Sequence, residues 1–273
     1  MNGGAFIKLS SPVTQQFWEL AVLYEDEHLL ALDKPAGLSS SPDRYDPARP
    51  SLLELLHKGI ADGKAWAKQR NLAYLMLAHR LDPETSGVVL LARGKPVLVT
   101  LANFFGAEQP GHEYAALVRG EPAEDRFEVE AKLAPHPLQP GLMRVDSRQG
   151  KHSRTIFTVQ ERFSGWTLLK CEPLTNRPHQ IRAHLRHARL PLVGDGLYGG
   201  QPLLLSKLKS AYHLKPNQTE RPLIGSPALH SEKLTLPHPV SHQTISATAP
   251  WPKDLTVAVK YLRRYAPASQ HRL

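Results

Sequence analysis

A single cysteine, Cys171, stands in 273 residues, so no internal disulfide can form and no paired-cysteine zinc signature is possible. It falls in the apolar run 166–171 and reads as a small core residue. No apolar stretch is long enough to span a bilayer, and none follows a basic N-terminal region as a signal peptide would. A cytoplasmic location is the expectation. HExxH, GxSxG, P-loop and GxGxxG patterns are all missing, which removes sequence support for zinc-hydrolase, α/β-hydrolase, NTPase and dinucleotide-binding readings. His179, His184 and His187 lie close in sequence, but 179 and 184 fall on different faces of a helix, and only 184 and 187 share a turn. Acidic residues are the scarcer charge. Asp and Glu number 25 against 34 Lys and Arg, a net charge of +9 that draws polyanions such as nucleic acid or an anionic membrane surface.

What is present is a succession of short elements punctuated by 24 prolines, with no internal repeat or low-complexity tract. Residues 1–17 read as an arm. Two apolar runs, 20–24 and 29–32, flank a charged turn at 25–28 and predict a hairpin. Residues 34–50 read as a loop and 51–58 as a short helix. SGVVLLAR (86–93) predicts a buried strand, and 96–105 a helix with Pro96 in its first turn. Strands are expected near 113–119, 127–133, 142–147, 153–161 and 165–171, then a helix over 178–190. Residues 200–227 read as a long basic connection, before a strand pair within 228–248 and a helix over 253–265. Many strands joined by short turns favour an α+β fold with a mixed, mostly antiparallel sheet over a doubly wound one. Without a composition shift to mark a linker, one domain over 18–265 is expected, with an arm at 1–17 and a tail at 266–273.

Two polar clusters could carry chemistry. His79-Arg80-Leu81-Asp82-Pro83-Glu84-Thr85-Ser86-Gly87 places a carboxylate at the mouth of the buried strand, where a rigid element can hold a nucleophile or base. An ordinary polar turn is the alternative that spacing leaves open. In 176–189, Ile181, Leu185 and Ala188 share a helical face, and Arg182, Arg186 and Arg189 form a basic stripe. That stripe is either a solvated face or an arginine poised for a carboxylate with phosphate contacts beyond it.

HRLDPETSG at 79–87 resembles the HRLDxxTSG signature of the RluA-like pseudouridine synthases. LDKPAGL at 32–38, HEYAALVRG at 112–120, RPHQIRAHL at 177–185 with PLVGDGLYGG at 191–200, and ALHSEKLTLPHP at 228–239 resemble further motifs of that family in the same order. The likeness covers roughly 20–250. It implies a sheet in two halves with flanking helices, and isomerisation of uridine to pseudouridine in structured ribosomal or transfer RNA, with no cofactor or metal. It implies that Asp82 is the essential carboxylate, that Arg182 pairs with it, and that Tyr114 stacks on the target base. Arg80 would fill the stack vacated by the flipped uridine, and Leu81 between them would be packing. Lys34 and Asp195 sit in motifs whose roles look structural. Arg186, Lys207, Lys209 and Lys215 are expected to meet phosphates. A monomer without a protein partner is expected.

Departures from the family pattern are modest. Asn176 stands where glycine is common and suits a left-handed conformation. Pro178 replaces a usual threonine and would fix the helix start. Fewer than 20 residues precede the stretch of likeness, so the small RNA-binding domain of many relatives is expected to be lacking. A non-catalytic RNA binder or a metal-dependent nuclease are the competing functions. The first has no use for Asp82, Tyr114 and Arg182 together. The second would need more acidic ligands than Glu84 supplies.

Overall fold

The run 86–93 shows why the sequence folds as it does. In the computed structural model, which describes residues 5–43, 46, 48–210, 212, 214 and 218–268, every residue of Ser86–Ala92 is buried. Val89 and Leu91 point into one apolar cluster, and Val88, Leu90 and Ala92 into another. A strand with apolar side chains on both faces must be covered on both.

In chain order the strands are β1 (Phe6–Ser11), β2 (Gln16–Glu25), β3 (Leu29–Lys34), β4 (Met76–Leu77), β5 (Ser86–Ala92), β6 (Gly111–Arg119), β7 (Arg126–Pro135), β8 (Met143–Val145), β9 (Lys151–Phe163), β10 (Trp166–Pro173), β11 (Leu229–Pro237) and β12 (Thr244–Thr248). The helices are α1 (Leu52–Ala61), α2 (Ala65–Gln69), α3 (Lys95–Gly106), α4 (Gln180–His187), α5 (Leu205–Leu208) and α6 (Lys253–Tyr265). The chain forms two compact units, one of residues 1–112 and 231–250, the other of 113–230 and 251–273.

In the first unit, β1 pairs with β2, β2 with β3 and β3 with β5, all antiparallel. β4 adds to β5 and β12 to β11, also antiparallel. The β2–β3 turn falls where the charged cluster predicts it. Asp26 closes it, its carboxylate accepting from the backbone N–H of His28 and Leu29 at 2.8 and 2.7 Å. One face packs Ile7, Leu20, Leu30 and Leu32 against α1 and α2, and the other packs Leu29 and Ala31 against α3. The expected arm at 1–17 is corrected: Ile7 and Leu9 alternate inward and make 6–11 a strand.

The second unit orders its strands β6-β10-β9-β7-β8, and the pairs of this run described by register are antiparallel. Ala115 and Leu117 of β6 face a core shared with α6, whereas Ala116 and Val118 face one shared with α4. Cys171 is fully buried in the latter, and burial pushes its thiol up. The 200–227 connection is more than a loop. It contains α5, whose Ser206 is held by the Glu220 carboxylate through backbone N–H and hydroxyl at 2.8 and 2.5 Å. Leu203 and Ile224 anchor its two ends in the α6 core.

Candidate active site

Asp82 lies in the loop that enters β5, half-buried. The loop is held from beneath by the 34–40 segment of the same unit. Ser40 Oγ donates to the carbonyl of Leu81 at 2.7 Å and accepts from its N–H at 3.1 Å. The N–H of Gly37 donates to the carbonyl of Pro83 at 2.9 Å. Lys34 has no solvent exposure, and its Nζ donates to the carbonyls of Leu38 at 2.7 Å, Pro35 at 3.0 Å and Pro83 at 3.2 Å. Three acceptors match the three hydrogens of an ammonium. Burial pushes Lys34 down to about 7, while the carboxylates of Asp82 and Glu84 pull it back up. A buried lysine amine thus underlies the loop that carries Asp82, a link that the KPAG pattern alone does not reveal.

The loop's two ends are equally constrained. Ahead of Asp82, the Nε2 of His79 accepts from the N–H of Leu90 at 3.1 Å. Its ring stacks on Phe105 with centroids 5.1 Å apart and meets His112 edge-on at 5.4 Å. Burial, with His112 nearby, pushes His79 down to about 3, and burial pushes His112 down to about 4. Both rings are neutral at pH 7. Beyond Asp82, the N–H of Thr85 donates to the Asp82 carbonyl at 3.0 Å. Gly87 adopts φ +110°, and a Cβ there would lie 2.1 Å from the backbone oxygen of Ser231. Glycine is therefore required on two counts. Leu81 is buried, as a packing residue should be, and Arg80 is exposed. Glu84 meets Arg49 at 3.6 Å.

In the second unit, Tyr114 is half-buried on β6, opposite Cys171 of β10. Arg182 lies on α4, and here the structure corrects the predicted helix. α4 runs over 180–187, not 178–190, because His179 takes the left-handed conformation (φ 49°) and Arg189 does so at the far end (φ 60°). The left-handed residue is thus His179 and not Asn176. Gln180 starts the helix as a side-chain clamp. Its Oε1 accepts from Thr175 Oγ1 at 2.8 Å and the N–H of Arg177 at 3.2 Å, and its Nε2 donates to Arg154 O and Thr155 Oγ1 at 3.1 and 3.0 Å. His184, fully buried, bonds Ser153 at 2.8 Å and Thr155 at 3.0 Å. Burial, helped by His187, pushes it down to about 4.

The predicted arginine stripe does not hold as one surface. Arg182 is buried and Arg186 exposed, while Arg189 lies past the helix end. Arg182 donates from Nε and Nη2 to the two oxygens of Asp195, each at 2.8 Å. Sequence reasoning left Asp195 among structural positions, because a lone aspartate in a GDGLYGG turn gives no sign of its partner. Lys207 is exposed and Lys209 half-buried, whereas Lys215 lies outside the described residues. Among the described residues, no group of three or more His, Cys, Asp or Glu side chains is gathered to hold a metal, and no helix is long and apolar enough to cross a membrane.

A family model described as RNA pseudouridylate synthase matches residues 28–187. Ribosomal large subunit pseudouridine synthase D of Xanthomonas campestris is 35% identical over 247 residues, covering 89% of this chain and 70% of that protein. Synthase C of Escherichia coli is 32% identical over 257 residues, covering 93% and 74%. The solved structure of human RNA Pseudouridylate Synthase Domain Containing 4 superposes with a TM-score of 0.69 at 22% identity, over 89% of this chain and 92% of that one, and so shares the fold. The order of motifs and these matches place the chain in the RNA pseudouridylate synthase family: it is an RNA pseudouridine synthase.

Proposed function

We propose that this enzyme isomerises uridine in large-subunit ribosomal RNA, using Asp82 as its essential carboxylate. The observation that supports Asp82 most is the way its loop is fixed by the buried Lys34 amine, Ser40 and Gly37. A reacting carboxylate gains most when it is presented in one geometry. The reaction breaks the N1–C1′ bond of uridine and forms a C5–C1′ bond, C5 giving up its proton and N1 gaining one, so atoms and electrons balance without a cofactor. Asp82 stabilises or captures the sugar or base during the break. Tyr114 stacks on the base and Arg182 supplies positive charge. Exposed Arg80 fills the gap that the flipped uridine leaves, offsetting part of a cost of a few kcal/mol. Arg186, Lys207, Lys209 and Lys215 contact phosphates. The substrate assignment follows the relatives, which are named for the ribosomal large subunit. The enzyme works as a monomer in the cytoplasm, without a protein partner.

Pseudouridine mapping across total RNA, in cells with and without the gene, tests this reading. One or more large-subunit sites should vanish and return with the wild-type gene but not with Asp82→Asn. Loss confined to transfer RNA would overturn the substrate, and restoration by Asp82→Asn would overturn the carboxylate.

A further inference from the structure

We infer that Asp195, together with the ring of Tyr198, positions Arg182 for the isomerisation. This deepens the reading above, since it rests on Arg182 taking part in the reaction.

Both partners are buried, with side-chain exposures of 4% for Arg182 and 1% for Asp195. The pair is bidentate, one carboxylate oxygen to Nε and the other to Nη2, which fixes the guanidinium plane as well as its place. The ring of Tyr198 lies 5.0 Å from the guanidinium carbon, measured to its centroid. That ring is itself tethered, its hydroxyl accepting from the N–H of Met143 at 2.9 Å and bonding His179 Nδ1 at 3.0 Å. The Asp195 backbone is fixed too, its carbonyl accepting from the N–H of Tyr198 at 3.0 Å and of Gly200 at 2.8 Å. No side chain fits at Gly200, where a Cβ would stand 1.8 Å from the carbonyl oxygen of Leu192. The carboxylate and the ring are thus built into the 191–200 turn, and the arginine reaches into them from α4.

Burying an ion pair costs desolvation that its attraction barely offsets, so stability alone is a poor reason for this arrangement. Placement is a better one. A guanidinium has five N–H donors in a planar fork. Asp195 occupies the Nε/Nη2 edge, so contact with a reacting carboxylate or with RNA comes through the remaining N–H groups on the Nη side. Asp195 also shares the charge. The remaining Nη1/Nη2 edge is thereby held in one plane and one direction for the group it serves in the reaction.

The test uses the full chain and a tritiated transcript of large-subunit ribosomal RNA carrying a site identified by the mapping above. Single-turnover rate at saturating enzyme, filter-binding Kd and thermal unfolding are measured for Asp195→Asn, Arg182→Lys and the double variant. Misplacing a reacting group costs on the order of 100-fold, so Asp195→Asn should slow the chemical step by about 30-fold or more, with Kd within about threefold. Residues acting as a unit are not additive, so the double variant should be no slower than Arg182→Lys alone. Asp195→Glu keeps the charge but shifts it by one methylene, and a loss of rate at unchanged Kd is expected there even if the asparagine variant fails to fold. Multiplying rate losses in the double variant would overturn the inference, as would a wild-type rate in Asp195→Asn beside an impaired Arg182→Lys. So would a fall in rate matched by Kd and by the folded fraction. A wild-type rate for Arg182→Lys would instead overturn the role of Arg182, and this inference with it.

Discussion

Three histidines, His79 and His184 buried and His112 half-buried, should make this enzyme acid-labile well above the range where carboxylates titrate. His79, His112 and His184 are held down to about 3, 4 and 4 by burial. In the unfolded chain each titrates near 6.5. Between about pH 6.5 and 4 the unfolded state therefore binds more protons than the folded one, and stability falls as pH falls through that window. Each histidine loses roughly 2 kcal/mol between pH 7 and pH 5, about 6 kcal/mol together. Asp33 acts in the opposite sense. Burial raises it to about 6, so its folded form gains a proton first on acidification and returns a smaller amount, discounted for partial exposure. A net loss of about 5 kcal/mol is comparable to the whole stability of many domains. Urea unfolding at half-unit steps from pH 7.5 to 5 measures it. Near pH 5.5 the three histidines should contribute a slope of about 4 kcal/mol per pH unit. His184→Gln, which can still donate to Ser153 and accept from Thr155, should lower that slope by about a third. A flat profile from pH 7 to 5, or an unchanged slope in His184→Gln, would refute the reasoning.

Gly87→Ala should cost about 3 kcal/mol or more, since φ +110° and the overlap with Ser231 backbone both oppose a Cβ. Calorimetry should show Tm lower by roughly 6–12 °C, and the Asp82 loop next to it should lose activity even in the folded fraction. Chelators should leave the rate on prefolded RNA unchanged, and a strict metal requirement there would revive the nuclease reading. Changing Lys207, Lys209 and Lys215 together to serine should weaken RNA binding and lower the salt slope of log K by about 0.7–0.9 for each phosphate no longer neutralised. Single-turnover chemistry at saturating enzyme should survive, and an unchanged Kd and salt slope would remove the connection from the RNA footprint.

Local signals carried much of the fold. α6 falls over 253–265 as its apolar spacing predicts, the 25–28 turn joins β2 to β3, and the two-sided apolar run becomes β5. Where the outcome depended on tertiary contacts, local pattern misled. Arg182 shares a periodic stripe with Arg186, yet a buried aspartate 13 residues away draws it inward. The left-handed residue is His179, not Asn176, because the Gln180 side chain sets where α4 can begin. β1 carries only two inward apolar residues at alternate positions within 6–11 that also find a core, too few to distinguish it from an arm. The family motif is what points to Asp82. What lies beneath it, the Lys34 amine and the Ser40 hydroxyl, joins segments about 40 residues or more apart and leaves no local trace.

The tethering of the 79–87 loop also decides who bends when enzyme and RNA meet. The N–H of Leu81 is tied to a hydroxyl and that of Leu90 to an imidazole, so both amides should exchange with solvent only when the unit opens as a whole. A loop held in this way has little room to follow its target, and the deformation falls on the nucleic acid. If Asp82 is the carboxylate proposed above, the uridine must leave its stack to reach it, at a cost that is least where stacking and pairing are already weak. Choice among uridines is then made in part by the RNA's own mechanics: hairpin loops and bulges surrender a base readily, and a continuous helix does not. On that reading, a rigid loop of this kind would work as a gauge of local RNA stiffness, before any base is read by hydrogen bonding.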